Sequence, residues 1–436
     1  MSYRRLTIAV LAAFLAFRVV YLLYTPFGVS PDEAHYWEWS RRLGLSYYSK
    51  GPGVAYVIAF FTSIFGDNAF GIRFGAPVFA ALGGWAVFLI GKDVFESEKT
   101  GFYATLLLNI TPIFSIGSIL MTTDVLLVFF WASSIWCVNR AIAARRAGWW
   151  YAAGVMIGLG FLTKYTMVFL VPCVLLFLAA SKKDRFWLRR YEPYAAGLLS
   201  LVVVTPVIWW NIFNGQVTIR HTMGQAHIGR GEFSLMPSLE FIGSQAGLLT
   251  PLIFIALVWG VARCASFGFG RKRSGPLLLF FACAPLFLFF FFKSLHGKVQ
   301  ANWAIAAYIA AYPAAVWAFS ALLERGAALA KPLRAVAWVA LFTAFIGSML
   351  AYFPWALEAA GVKNIIHNPP YSNVTGWAEL GGRVSEVKAG MEREAGETFI
   401  ASDRYQITSV LALYTKGNPV TYNFKSSERR MNQYDL

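Results

Sequence analysis

Long apolar runs, interrupted by short clusters of Arg, Lys, Gly and Pro, dominate the pattern of hydrophobic and polar positions along this chain. Runs near 20 residues can cross a hydrocarbon core about 30 Å thick as helices. The pattern predicts eleven transmembrane helices, at 6–25, 69–91, 101–117, 125–139, 149–162, 166–180, 193–211, 241–262, 276–292, 301–322 and 335–355. The first follows Arg4 and Arg5, is longer than the apolar part of a cleavable leader, and reads as an uncleaved span. The apolar stretch Gly53–Phe65 is too short for a crossing and reads as an interfacial or re-entrant helix. A transmembrane barrel is excluded, because barrel strands alternate apolar and polar residues over about 10 positions.

The pattern changes near residue 355, which divides a membrane part, 1–355, from a polar tail, 356–436. In the tail, helical spacing over 376–396 precedes a strand-like run at 398–401, a helix at 405–414 and a second strand-like run at 420–424. Strand, helix and strand make one crossover unit, and two strands alone are marginal. This tail is therefore expected either to lean on the membrane part or to be the start of a longer domain that Leu436 leaves incomplete. The expected fold class is an all-α polytopic membrane protein with interfacial helices in its first outer loop and a small α/β domain at its C-terminal end.

Composition agrees: 58% of residues are hydrophobic and 14% charged, against about 25% charged in soluble domains. The net charge of +16 raises nucleic acid as a partner, but the basic residues sit between the apolar runs. The segments that an inside N-terminus places in the cytoplasm hold more than twice as many Lys and Arg as those it places outside. A positive-inside bias accounts for this without nucleic acid. With an odd number of spans, the tail then lies outside. The cysteines stand singly and suggest neither a disulfide framework nor a metal site.

Candidate chemistry gathers on the outer face. Ser30-Pro31-Asp32-Glu33-Ala34-His35-Tyr36 starts a short helix with two carboxylates in its first turn, where the helix dipole favours them. Close behind, Lys50 lies in Tyr47-Tyr48-Ser49-Lys50-Gly51-Pro52-Gly53, placed to meet a lipid phosphate. Asp124, in Thr122-Thr123-Asp124-Val125, is a carboxylate at a membrane boundary, where such groups are functional by default. It also suits the N-cap of the span that follows. Lys164 in a tight outer hairpin, and the cluster Lys293, His296, Lys298 and Asn302, add groups suited to a sugar and a phosphate. His221, His227 and Glu232 in a later loop match no zinc spacing. Asp32, Glu33 and Asp124 suit a divalent ion as readily as a base, so a metal stays open.

Taken in order, Asp32-Glu33-Ala34-His35-Tyr36, the Tyr47–Pro52 turn, Phe65-Gly66-Asp67-Asn68-Ala69-Phe70-Gly71-Ile72-Arg73-Phe74 and the Asp124 motif resemble one family. It is the GT-C membrane glycosyltransferases of the dolichyl-phosphate-mannose-protein mannosyltransferase type, including the bacterial aminoarabinose and galacturonic acid transferases of lipid A. The resemblance covers about the first 180 residues in detail. It departs where Gly-Pro-Gly follows Lys50 in place of Pro-Pro, and relatives with a complete outer domain run beyond Leu436.

The resemblance implies transfer of one sugar from a polyprenyl-phosphate carrier to a lipid A or other envelope acceptor, with inversion and without a nucleotide sugar, at the periplasmic face of a bacterial inner membrane. Asp32 would act as general base, with Glu33 or Asp124 orienting the acceptor or sharing that role. Lys50, aided by Lys164 or by Lys293 and Lys298, would stabilise the leaving phosphate. Tyr36, Tyr47 and Tyr48 would line the sugar or headgroup region. A protein Ser or Thr acceptor is the runner-up, and a flippase for lipid-linked sugars is the rival of another class.

Overall fold

The computed structural model describes residues 2–226, 233–324, 327–424 and 431–436. Seven of its helices are long and apolar enough to cross a membrane: Tyr3–Tyr24, Ala69–Phe95, Thr123–Ala144, Glu192–Phe213, Pro251–Arg271, Ser274–Ser294 and Ala330–Tyr352. An eighth is formed if the pair Ala301–Tyr308 and Ala311–Leu323, bent by 55°, is one crossing. Gly53–Phe65, Ala147–Thr163 and Tyr165–Ala180 are shorter apolar helices. The protein is an integral membrane protein of helical architecture.

Several expected spans are broken, and proline marks two of the breaks. The run 101–117 splits into Glu98–Ile110 and Pro112–Gly117. The run 241–262 splits into Met236–Leu249 and Pro251–Arg271, with Thr250 between them at φ +69°. Proline has no N–H to continue the preceding ladder but suits the first turn of a new helix. Hydropathy reads straight through such breaks, since the residues on both sides are apolar.

The main core lies among the membrane helices, around the fully buried Trp131, Phe177 and Tyr312. Helix Gly75–Phe95 meets Glu98–Ile110 so closely that a Cβ at Gly91 would sit 2.7 Å from the Cα of Gly101. Small residues permit this approach of two backbones in lipid.

A second core joins distant parts of the chain. Trp37 and Trp39, from the helix Pro31–Ser40, pack with Val54 and Ile58 of Gly53–Phe65, with Met121 and Leu126, and with Val410, Ala412 and Leu413 of Tyr405–Tyr414. The strands Ile400–Ser402 and Thr421–Asn423 flank that last helix and pair in parallel, Ile400 opposite Thr421. Two strands of three residues cannot bury a core unaided. The tail helix completes its burial against the first loop.

Candidate active site

The helix Pro31–Ser40 is fixed at its start by local chemistry. The Glu33 N–H donates to Ser30 Oγ at 3.4 Å, and the Ser30 N–H donates back to Glu33 Oε2 at 3.0 Å, a reciprocal capping box. Pro31 occupies the first turn, where its missing N–H is not needed.

Glu33 is fully buried, and its carboxylate is saturated with donors. Arg73 Nε donates to Oε1 at 2.8 Å and Arg73 Nη2 to Oε2 at 2.7 Å, while the Met121 N–H reaches Oε1 at 2.9 Å. Arg73 also donates to the carbonyls of Phe27 and Gly28. Burial pushes the Glu33 carboxyl up, but Arg73 and these hydrogen bonds more than offset it and hold it below its usual range.

Asp32, the preceding residue, is exposed and yet flanked by protein on most sides. That surrounding pushes its carboxyl above the ordinary value, Lys50 draws it down and Glu33 raises it again. Tyr36 lies one turn along the same helix face and is buried. Its phenol is pushed well up, first by burial and then by the charges of Asp32 and Asp124. The two aspartates, 92 positions apart in sequence, therefore act on one phenol.

The turn carrying Lys50 is held by the Tyr47 N–H, which donates to the Lys50 carbonyl at 3.1 Å. Tyr47 is buried, stacks on Trp39 with centroids 4.5 Å apart, and donates its hydroxyl to the Trp39 carbonyl at 3.0 Å. A Cβ on Gly51 would land on the Leu162 carbonyl, and one on Gly53 would come within 2.7 Å of the Thr163 methyl. The Gly-Pro-Gly after Lys50 thus lets this turn lie against the residues just before Lys164. Gly51→Ala is expected to displace the turn and lower the yield of folded protein, as read by size-exclusion chromatography in detergent. A wild-type elution profile and yield would remove this account of Gly51.

Asp124 gathers the remaining partners. Lys164 Nζ donates to its Oδ1, and Asn302 Nδ2 to its Oδ2 at 2.7 Å. The lysine side chain is only 8% exposed, so its charge faces Asp124 rather than open solvent. The expected N-cap role of Asp124 falls to another residue. The helix begins at Thr123, and Thr122 Oγ1 accepts the Asp124 N–H at 3.3 Å, which leaves the carboxylate free to meet Lys164. An apolar cavity lined by Ile113, Phe114, Val125, Val128 and Ile305 opens beside Asp124.

Other expected site residues are engaged elsewhere. The Tyr48 ring packs against His221 at 5.0 Å, and its N–H donates to Gln433 Oε1 at 2.6 Å. Lys293 lies over the Trp303 ring at 4.8 Å, His296 packs edge-on to Phe233, and Lys298 is exposed. His227 and Glu232 lie outside the described residues. Among the described residues, no group of three or more His, Cys, Asp or Glu is arranged to hold a metal ion.

Sequence reasoning quoted Arg73 within a motif without giving it a role. The available signal was a lone guanidinium inside an otherwise apolar helix. It also missed the residues behind His35. That imidazole is buried, shares a hydrogen bond of 3.0 Å between Nδ1 and Ser409 Oγ, and is held down to about 3 by burial. Nothing local in the sequence links positions 374 residues apart.

Comparison with known proteins bears on the family and the fold. Residues 49–210 match the family model described as dolichyl-phosphate-mannose-protein mannosyltransferase. The chain is 31% identical to lipid A galacturonosyltransferase RgtD of Rhizobium johnstonii over 75% of this chain and 68% of that protein. It is 27% identical to an undecaprenyl phosphate-alpha-4-amino-4-deoxy-L-arabinose arabinosyl transferase of Pseudomonas savastanoi, over 55% of this chain and 50% of the relative. The chain thus spans about half to two thirds of the length of these curated relatives. Its fold resembles ArnT from Cupriavidus metallidurans bound to undecaprenyl phosphate, with a TM-score of 0.65, 15% identity, and coverage of 94% of this chain and 84% of that one. It also resembles the oligosaccharyltransferase AglB of Archaeoglobus fulgidus, with a TM-score of 0.57, 14% identity, and coverage of 97% and 65%. With this likeness along three quarters of its length, the chain belongs to the membrane glycosyltransferase family that includes the lipid A galacturonosyltransferase and the undecaprenyl phosphate-aminoarabinose arabinosyl transferases.

Proposed function

We propose that this protein moves one sugar from a polyprenyl-phosphate carrier to a lipid A or related envelope glycolipid at the outer face of the membrane. The observation that carries this reading is the juxtaposition of Asp32 with Lys50, an exposed carboxylate under the field of a lysine, in a chain related to transferases of that class. Asp32 takes the proton of the acceptor hydroxyl as that oxygen bonds to the anomeric carbon. The bond from that carbon to the phosphate oxygen breaks, and its electron pair leaves with the lipid phosphate, whose growing charge Lys50 stabilises. A single displacement of this kind inverts the anomeric centre.

Glu33, both oxygens engaged, has the orienting role of the two considered for it. Asp124, held by Lys164 and Asn302, helps to orient the acceptor, and its field and that of Asp32 both reach the Tyr36 phenol. Lys164, paired with Asp124, is thereby drawn away from the phosphate, while Lys293 and Lys298 are left to the headgroup region.

The same reading counts eleven crossings. The eight long or bent spans are joined by Glu98–Gly117, Ala147–Thr163 and Tyr165–Ala180. A helix of 17 residues is about 25 Å long, enough for a thin or locally compressed bilayer. With the N-terminus in the cytoplasm, the carboxylates and the small C-terminal α/β unit share the outer face. That placement is supported by the packing of Tyr405–Tyr414 on Pro31–Ser40.

Mass spectrometry of envelope lipids tests the function, in cells with the protein, without it, and with Asp32→Asn. The expected result is a mass increment of one sugar on an envelope lipid that is present only with the intact site. The same increment on protein would make the acceptor a Ser or Thr hydroxyl. No covalent product, with a polyprenyl-phosphate sugar accumulating on one side of the membrane, would sink the transferase reading in favour of a flippase.

A further inference from the structure

The two halves of the site, the helix bearing Asp32 and the turn bearing Lys50, lie on different local elements, and one short segment touches both. Gln433 Oε1 accepts the Tyr48 N–H at 2.6 Å, two residues before Lys50. The neighbouring Tyr434 shares a hydrogen bond of 2.9 Å between its hydroxyl and Ser409 Oγ, and Ser409 in turn meets His35 Nδ1 at 3.0 Å. His35 lies one helical turn from Asp32. The Tyr434 ring also faces the imidazole, with centroids 5.9 Å apart.

The segment is itself anchored. The Asn432 N–H donates to Asp435 Oδ2 at 2.8 Å, the Tyr434 N–H donates to Asn432 Oδ1 at 2.9 Å, and Asn432 Nδ2 donates to Asn423 Oδ1 on the second strand at 2.9 Å. These bonds tie residues 432–435 to the sheet, so Gln433 and Tyr434 are presented from a fixed base.

We propose that Gln433 and Tyr434 are positioning residues that set the spacing between Asp32 and Lys50, with Gln433 holding the lysine turn in register for a lipid phosphate. The proposal rests on the site reading above. Its chemistry is specific: the Tyr48 N–H needs an acceptor, which glutamine or glutamate supplies and alanine does not. A backbone donor left without its partner releases the turn that it pinned.

The test is binding of undecaprenyl phosphate to the full-length protein in detergent, with the melting temperature recorded for each variant. Gln433→Ala is expected to weaken binding about tenfold, as the loss of one part-buried hydrogen bond at the phosphate turn implies. Gln433→Glu should bind within about twofold of wild type, with both variants melting as wild type does. The inference fails if Gln433→Ala binds like wild type, or if alanine and glutamate weaken binding equally while melting falls. Lys50→Ala separates the two levels. Binding that is lost with Lys50→Ala but kept with Gln433→Ala sinks the positioning role alone. Binding indifferent to Lys50, or absent from the wild type, sinks the site reading and this inference with it.

Discussion

Arg73→Met is expected to cost the fold about 3–5 kcal/mol, because it leaves the Glu33 carboxylate buried without its counter-charge. The pair is enclosed, with side chains 3% and 0% exposed. The arginine also ties down the carbonyls of Phe27 and Gly28, which lead into the helix carrying Asp32. The same magnitude is expected for Glu33→Leu, which strands the guanidinium instead. Replacing both at once should be milder than either alone, since two apolar side chains remove the uncompensated charge. Thermal melting in detergent checks this through the order of the three variants. A single Arg73→Met that melts like wild type would show that the ion pair does not hold the loop.

Asp32→Asn is expected to lower the transfer rate by about 10²–10⁴, the usual contribution of a positioned general base, with little change in melting because the side chain is exposed. The pH dependence carries the finer content. Protein around Asp32 raises its carboxyl above the ordinary value, and Lys50 counters part of that rise. A base must be ionised to accept a proton, so the rate should fall as pH drops through this raised value. Removing the lysine charge with Lys50→Ala takes away the lowering influence. The acid limb should therefore move to higher pH, measured with the lipid donor saturating so that weakened binding does not mask it. An acid limb that stays in place or moves down would separate Asp32 from Lys50 and from the base role.

How much of this was legible in the sequence depends on range. The capping box at Ser30 and Glu33 is local, and the Ser-Pro start reads directly as a helix N-terminus with acids in its first turn. The long spans are legible because twenty apolar residues in a row have few alternatives. Breaks such as Thr250-Pro251 are not, since hydropathy is blind to backbone dihedrals. Asp124 and Lys164 could each be singled out as charges at a membrane boundary. Their pairing depends on how the helix Thr123–Ala144 packs beside Ala147–Thr163, which no short motif encodes. Glu33 illustrates the same limit: its sequence neighbours suggest a free acid, and only the return of Arg73 from the next apolar helix makes it a closed ion pair.

The shared core of the first loop and the last helix has a consequence for how the protein is made. Trp37 and Leu413 belong to one cluster, yet hundreds of residues must be synthesised between them. At about 5–20 residues per second, roughly 20 to 75 s separate their appearance at the ribosome. Over that interval the helix Pro31–Ser40 has its tryptophans uncovered, and such a low-stability state is one that chaperones and proteases can reach. The surroundings of Asp32 are thus assembled only once the helix Tyr405–Tyr414 has been made, so a product truncated before that helix carries Asp32 without the packing that fixes its helix.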